Sequence, residues 1–150
     1  MLPATIYSTL LKARESNIKQ FALLIDPDKV DEASLGNLID LAVKARVDFL
    51  FVGGSLLTRD ALDATLTTIK SNCGIPTILF PGSTLQINEK ADALFFLSLI
   101  SGRNPELLIG QQVTAAPYLK QSQLEILPTG YILIDGGAPT TVSYISNTQP

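Results

Sequence analysis

Five short apolar runs, each cut off by small or polar residues, constrain this chain more than any other feature. Residues 21–25 are stopped by Asp26, Pro27 and Asp28, and residues 49–52 by Gly53, Gly54 and Ser55. Residues 76–80 end at Pro81, Gly82 and Ser83. Residues 91–97 end at Ser98 and a loop of Gly102, Arg103 and Asn104, and residues 130–134 at Asp135, Gly136 and Gly137. Each run is long enough for a strand and too short for a helix. Between them the apolar residues fall at helical spacing: Leu35, Leu38, Ile39, Ala42 and Val43; then Ala61, Leu62, Leu66 and Ile69, with Thr58 as a candidate N-cap; then Leu107, Leu108 and Val113. A helix carrying Ile6, Leu10, Leu11 and Ala13 opens the chain. Strands that alternate with helices pair in parallel through right-handed crossovers. A chain that is 46% hydrophobic and 17% charged supplies strands buried on both faces.

Two α/β architectures satisfy this order: an open doubly wound sheet and a closed (β/α)8 TIM barrel. The strand ends choose between them. All five finish in polar or small residues, and a barrel gathers every strand end round one mouth. An open sheet concentrates function at one crevice, usually after the first strand, and no G-x-G-x-x-G motif follows residues 21–25. The expected fold is therefore the (β/α)8 barrel. A complete barrel takes about 250 residues. The 150 residues here are expected to supply the first five βα units of one barrel domain, residues 1–150, truncated at the C-terminus in a Ser/Thr/Asn/Pro-rich loop with no closing helix.

Composition narrows the chemistry. The net charge is −3 and the eleven Lys and Arg residues are scattered, which argues against nucleic acid as a partner. With no His, any catalysis rests on carboxylates, hydroxyls, Lys and backbone groups. The single Cys73 forms no intrachain disulfide, consistent with a reducing, cytoplasmic setting. Residues 5–17 are amphipathic and charged, unlike a secretory signal. The longest apolar stretch, residues 91–100, contains Asp92 and Ser98 and is about half of what a membrane span requires.

Three strand-end constellations can carry chemistry. Asp26 suits a hard cation that takes one or two carboxylates and leaves its other positions to water and phosphate; equally, Asp-Pro starts a turn, and Asp28 reads as the cap of the next helix. Gly53, Gly54 and Ser55 offer exposed N–H groups and a hydroxyl to an anion or metal, or make a plain strand-to-helix turn. Asp135, Gly136 and Gly137 repeat that pattern, and residues 131, 133 and 135 share one strand face, so Tyr131 and Asp135 are expected to face the barrel mouth together. Ser98, Ser101, Arg103 and Asn104 form a further polar cluster, where Arg103 either meets a phosphate or lies on a surface loop. Cys73 reads as a packing residue.

Taken together, the segments 23–29, 51–55, 80–83, 91–106 and 128–137 resemble the geranylgeranylglyceryl phosphate synthase family over nearly the whole chain in order. Segments 91–106 and 128–137 are the specific ones. The resemblance implies a TIM barrel that joins a long prenyl diphosphate, geranylgeranyl or similar, to the hydroxyl of sn-glycerol 1-phosphate, making an ether-lipid precursor. It implies Mg2+ on Asp26 and Ser55. It implies glycerol phosphate along Tyr131, Ile132, Leu133, Ile134, Asp135, Gly136 and Gly137, with Asp135 accepting the hydroxyl proton. Many relatives carry Glu where this chain has Asp135, and a basic residue present in one branch is Leu24 here. Relatives are homo-oligomers, and the same is expected here. Two other readings stand beside it: another phosphate-binding barrel enzyme of isomerase or aldolase type, and a catalytically incomplete fragment.

Overall fold

The computed structural model describes residues 5–134 and 136–149. Helix α1 (Ile6–Glu15) precedes β1 (Ala22–Ile25), α2 (Glu32–Lys44), β2 (Phe49–Val52), α3 (Leu62–Asn72) and β3 (Thr77–Leu79). A 3-10 turn (Thr84–Gln86) leads to β4 (Ala93–Leu99). A π-turn (Glu106–Gly110) then runs into α4 (Gln111–Leu119), followed by β5 (Glu125–Tyr131) and α5 (Thr141–Ser146). The strands form one parallel sheet in the order β1-β2-β3-β4-β5. A doubly wound sheet reverses its strand order and carries helices on both faces. This sheet does neither with its crossovers, because α2, α3 and α4 all pack on one face.

Alternation along the strands separates two cores. On the outer face, Ile25, Leu50, Val52, Leu79 and Leu94 meet Leu35 and Ile39 of α2, Leu66 and Ile69 of α3, and Ala115 and Leu119 of α4. On the inner face Phe49, Ile78, Ala93 and Leu127 pack with Ile6 and Leu10, so α1 covers the N-terminal ends of the strands. Glu125, the first residue of β5, fixes α1 there: its carboxylate accepts from the N–H of Ile6 at 2.7 Å and of Tyr7 at 2.9 Å. Both donors are groups that a helix N-terminus leaves unpaired. With its lower end covered by α1, the inner face is left accessible at the C-terminal ends of the strands. There Phe51, Phe80, Phe95 and Tyr131 form a chain of ring contacts with centroids 5.0 to 6.2 Å apart. Among the described residues no helix is long and apolar enough to cross a membrane.

The structure departs from the sequence expectations at several places, and Ser98, expected to end the fourth strand, is paired with Gly130 inside β4. The last strand is Glu125–Tyr131 rather than 130–134, paired residue for residue with β4 from Ala93↔Glu125 to Leu99↔Tyr131. Glu125, Pro128 and Gly130 break its apolar pattern, yet Pro is tolerated in a strand whose one neighbour among the described strands is β4. Residues 132–134 lie beyond the strand, so the alternation argument that put 131, 133 and 135 on one face does not apply. A short helix, α5, follows β5 where no closing helix was expected; Thr140 and Ser143 make its reciprocal capping box. Thr58 does not cap α3, whose first turn has no side-chain cap, and Asp31 rather than Asp28 caps α2.

Candidate functional site at the strand C-termini

Asp26 and Asp28 leave the end of β1 and take different roles. Asp28 ties its own loop to the loop after β2. Its carboxylate accepts from the Thr58 N–H at 2.6 Å, the Thr58 hydroxyl at 2.9 Å and the Arg59 N–H at 3.2 Å. Arg59 returns the tie by donating to the Asp28 carbonyl at 2.6 Å. The Thr58 N–H, ahead of the Thr58 hydroxyl and Arg59, holds the Asp28 carboxyl below the ordinary aspartate value of 3.8. A lowered folded-state pKa gives stability that is complete above 3.8 and is lost as the pH falls through the folded value. Asp28→Ala is therefore expected to melt below the wild type at neutral pH, with the gap closing under pH 3.8; a gap that stays constant down to pH 2.5 would refute the linkage.

Asp26 stays at the mouth. Its Oδ1 accepts from the Asp28 N–H at 3.1 Å, and its Oδ2 lies 3.0 Å from the Lys29 ammonium. The carboxylate rests over Gly54, where a Cβ would come within 3.1 to 3.3 Å of it. Ser55 follows directly. Both line one cleft with Leu24, Lys29, Phe80 and Tyr131.

That loop is locked from the other side by the turn after β3. The Gln86 side chain, 2% exposed, accepts from the Gly54 N–H at 3.2 Å and donates to the Gly54 carbonyl at 2.8 Å. Gly82 lies so close that a Cβ would sit 2.4 Å from the carbonyl oxygens of Gly54 and Ser55. Nothing in the sequence marks Gln86, which looks like one more polar residue in a turn.

A second cleft adjoins the first and shares Gly54, Ser55, Phe80 and Tyr131 with it. Its remaining walls are mostly apolar, including Leu97, Leu99, Leu107, Val142 and Ile145. The first cleft carries the charged groups Asp26 and Lys29, and the second is mostly apolar, with Gln111 and Gln112 as its polar side chains apart from the shared Ser55 and Tyr131.

The structure thus brings Asp26, Ser55 and Tyr131 together. Leu133, Ile134, Gly136 and Gly137 line a separate cleft with Ala138, Pro139 and Thr140. Ile132 and Ile134 are exposed, and the Leu133 N–H donates to the Ser101 hydroxyl at 3.0 Å. Asp135 lies outside the described residues. The polar cluster after β4 holds α5. The N–H groups of Arg103 and Asn104 both donate to the Ser146 carbonyl, and the Asn104 side chain donates to that of Ile145. The Arg103 guanidinium donates to the carbonyl of Gly102. Cys73 ends α3 and packs against the outer core, as a structural residue would.

The donor set fits magnesium better than a metal that needs a protein cage. Among the described residues no group of three or more His, Cys, Asp or Glu side chains gathers round a point. One carboxylate and one hydroxyl residue lining the same cleft would suit an ion that keeps several waters and shares its remaining positions with substrate phosphate.

Comparison with known proteins gives the family. A model of the PcrB family matches residues 13–149. The geranylgeranylglyceryl phosphate synthase of Chitinophaga pinensis is 55% identical over 145 residues, 97% of this chain and 58% of that protein. The synthase of Spirosoma linguale is 53% identical over 90% of this chain and 54% of its own length. The crystal structure of (S)-3-O-geranylgeranylglyceryl phosphate synthase from Thermoplasma acidophilum, in complex with substrate sn-glycerol-1-phosphate, superposes with a TM-score of 0.88 at 34% identity, covering 96% of this chain and 57% of that one. The chain spans just over half the length of these relatives.

Proposed function

This chain belongs to the PcrB family, and from that membership we propose that it supplies the first five strands of a closed (β/α)8 barrel working as a magnesium-dependent prenyltransferase. The reaction joins a long-chain prenyl diphosphate to the hydroxyl of sn-glycerol 1-phosphate, forming an ether. The unreversed strand order and the crossover helices gathered on one face support the barrel. One observation carries the activity: the cleft at Asp26 and Ser55 shares Gly54, Ser55, Phe80 and Tyr131 with a neighbouring, mostly apolar cleft. That shape takes a ligand with a charged head and a hydrocarbon tail. None of the five strands carries a Lys, so they offer no amine nucleophile of the aldolase kind.

In this reading Asp26 and Ser55 are the residues that would hold Mg2+, which when bound would supply Lewis-acid neutralisation of the charge on the departing diphosphate. The Gly53 and Gly54 N–H groups are taken by the Ile25 carbonyl and by Gln86, so this loop offers the diphosphate the Ser55 hydroxyl rather than these two backbone donors. The rings of Phe51, Phe80 and Tyr131 beneath the cleft exclude water, and their faces favour positive charge developing on the allylic carbon. Glycerol phosphate lies along residues 131–137, as the family resemblance implies, with Tyr131 bordering the diphosphate cleft while Leu133, Ile134, Gly136 and Gly137 line a separate one. Its hydroxyl oxygen bonds to the allylic carbon as the carbon–diphosphate bond breaks, and Asp135 accepts the hydroxyl proton. Cytoplasmic location and assembly with further copies of itself complete the proposal.

The test incubates the full-length protein with Mg2+, radiolabelled sn-glycerol 1-phosphate and prenyl diphosphates of graded length, then extracts with organic solvent. Label should enter the organic phase, and chelation of the metal should abolish the transfer. Label that stays in water with every donor overturns the proposal.

A further inference from the structure

Gly54 is the residue the proposed site most needs to hold still, and it is the one least able to hold itself. Glycine has more backbone freedom than any other residue. A Cβ here would sit 3.1 to 3.3 Å from the Asp26 carboxylate and would push it by a few tenths of an ångström. Control of this residue must come from outside, and the Gln86 carboxamide provides it. Its oxygen takes the Gly54 N–H and its nitrogen gives to the Gly54 carbonyl, so one rigid planar group engages both polar groups of one residue. A neighbouring β-strand engages a residue in the same way. Fixing both groups fixes the torsions between them, and with those the direction in which Ser55 leaves.

We infer that Gln86 is a positioning residue of the proposed magnesium–diphosphate site, acting through Gly54 to hold Ser55 in register with Asp26. This rests on the function proposed above. Gln86 touches neither the Asp26 carboxylate nor the cleft that Asp26 lines. Its burial at 2% exposure, with both amide atoms engaged by Gly54, leaves it no part in the chemistry itself. It sits in the turn Thr84–Gln86, and Gly82, just before that turn, lies close against the carbonyl oxygens of Gly54 and Ser55, so one loop meets the glycine at two points.

The experiment is calorimetric titration of Mg2+ with inorganic diphosphate into the full-length protein, needing no turnover. Gln86→Met keeps the volume and removes both hydrogen bonds. It is expected to weaken Mg–diphosphate binding about tenfold or more, as loss of a group supporting a metal ligand does. Thr65→Val, a buried polar substitution on α3 away from the cleft, serves as the control for general destabilisation and should leave binding unchanged. Gln86→Glu adds a signature that a merely structural role would not give. Protonated, it donates to the Gly54 carbonyl and accepts from its N–H, as Gln does; ionised, it cannot donate. Burial raises a carboxyl pKa, so binding should approach the wild type at about pH 6 and fall away by about pH 8.5, against the wild-type trend. If wild-type binding does not depend on Asp26, the functional reading fails. If it does and Gln86→Met binds normally, or Gln86→Glu shows no recovery at low pH, the positioning inference alone fails. If neither variant folds at pH 6, Gln86 is a folding residue and the inference is equally overturned.

Discussion

Gly53→Ala is expected to destabilise the fold by roughly 3 kcal/mol or more, the sum of a strained backbone and an impossible contact. Gly53 has φ +148°, where L side chains rarely go. A Cβ there would lie 2.2 Å from the Phe80 carbonyl oxygen and 2.8 Å from its carbon. Backbone atoms cannot swing aside as a flexible side chain would. The Phe80 N–H is already committed to the Val52 carbonyl at 2.8 Å, and the Gly53 N–H to that of Ile25 at 3.1 Å. Relief therefore means moving the end of β3 away from β2, which drags Gly82 and Gln86 off Gly54. Denaturant unfolding checks the size of the loss. Gly36→Ala is the fitting comparison, because a Cβ there meets nothing within 4 Å. That change sits inside α2 and should be neutral or stabilising by up to about 1 kcal/mol. A Gly53→Ala loss below about 1 kcal/mol would mean that the close approach of the two loops is wrong.

On the function proposed above, Asp26→Asn in the full-length protein is expected to lower the proposed prenyl transfer by at least about a hundredfold, since even partners of metal ligands cost ten- to a hundredfold when removed. Asn is the informative replacement. It keeps the shape over Gly54 and an oxygen to accept from the Asp28 N–H, so the loop's local hydrogen bonding survives. What it removes is the negative charge that faces Lys29 at 3.0 Å and that the proposed ion requires. The Lys29 pair itself is exposed on the lysine side, 79%, and pairs of that kind contribute little to stability. Melting temperature should therefore change little while activity collapses, and excess Mg2+ should recover part of it. Full activity in Asp26→Asn would remove the carboxylate from the mechanism. A collapse that Mg2+ leaves untouched, with diphosphate binding intact, would assign Asp26 a role other than metal binding.

Much of this was legible without coordinates. Four of the five strands announce themselves as continuous apolar runs, because a parallel strand covered on both faces has no polar side to break its pattern. The fifth does not, because β5 includes Glu125, which turns its carboxylate to the start of α1, and then Pro128 and Gly130. Its place is set by seven register pairs with β4, a long-range match that no local pattern encodes. That Asp26 and Ser55 line one cleft follows from the C-terminal ends of parallel neighbouring strands lying along one edge of the sheet, whereas their pairing as metal ligands came from the family resemblance. Local pattern misled where a polar side chain had several partners within reach. Asp28 and Thr58 both read as helix caps, and in the folded chain they bond to each other across 30 residues. Gln86 gave no signal at all, since its partner is a backbone 32 residues away and a carboxamide in a turn looks like solvent-facing polarity. The sequence by itself determined the alternation of strands and helices, the parallel sheet and the kind of chemistry available at its upper edge, because burial and residue type are local properties. Only the tertiary structure decided which glycine needs which neighbour and which carboxylate is left open, because both follow from two loops pressed together by strands far apart in the chain.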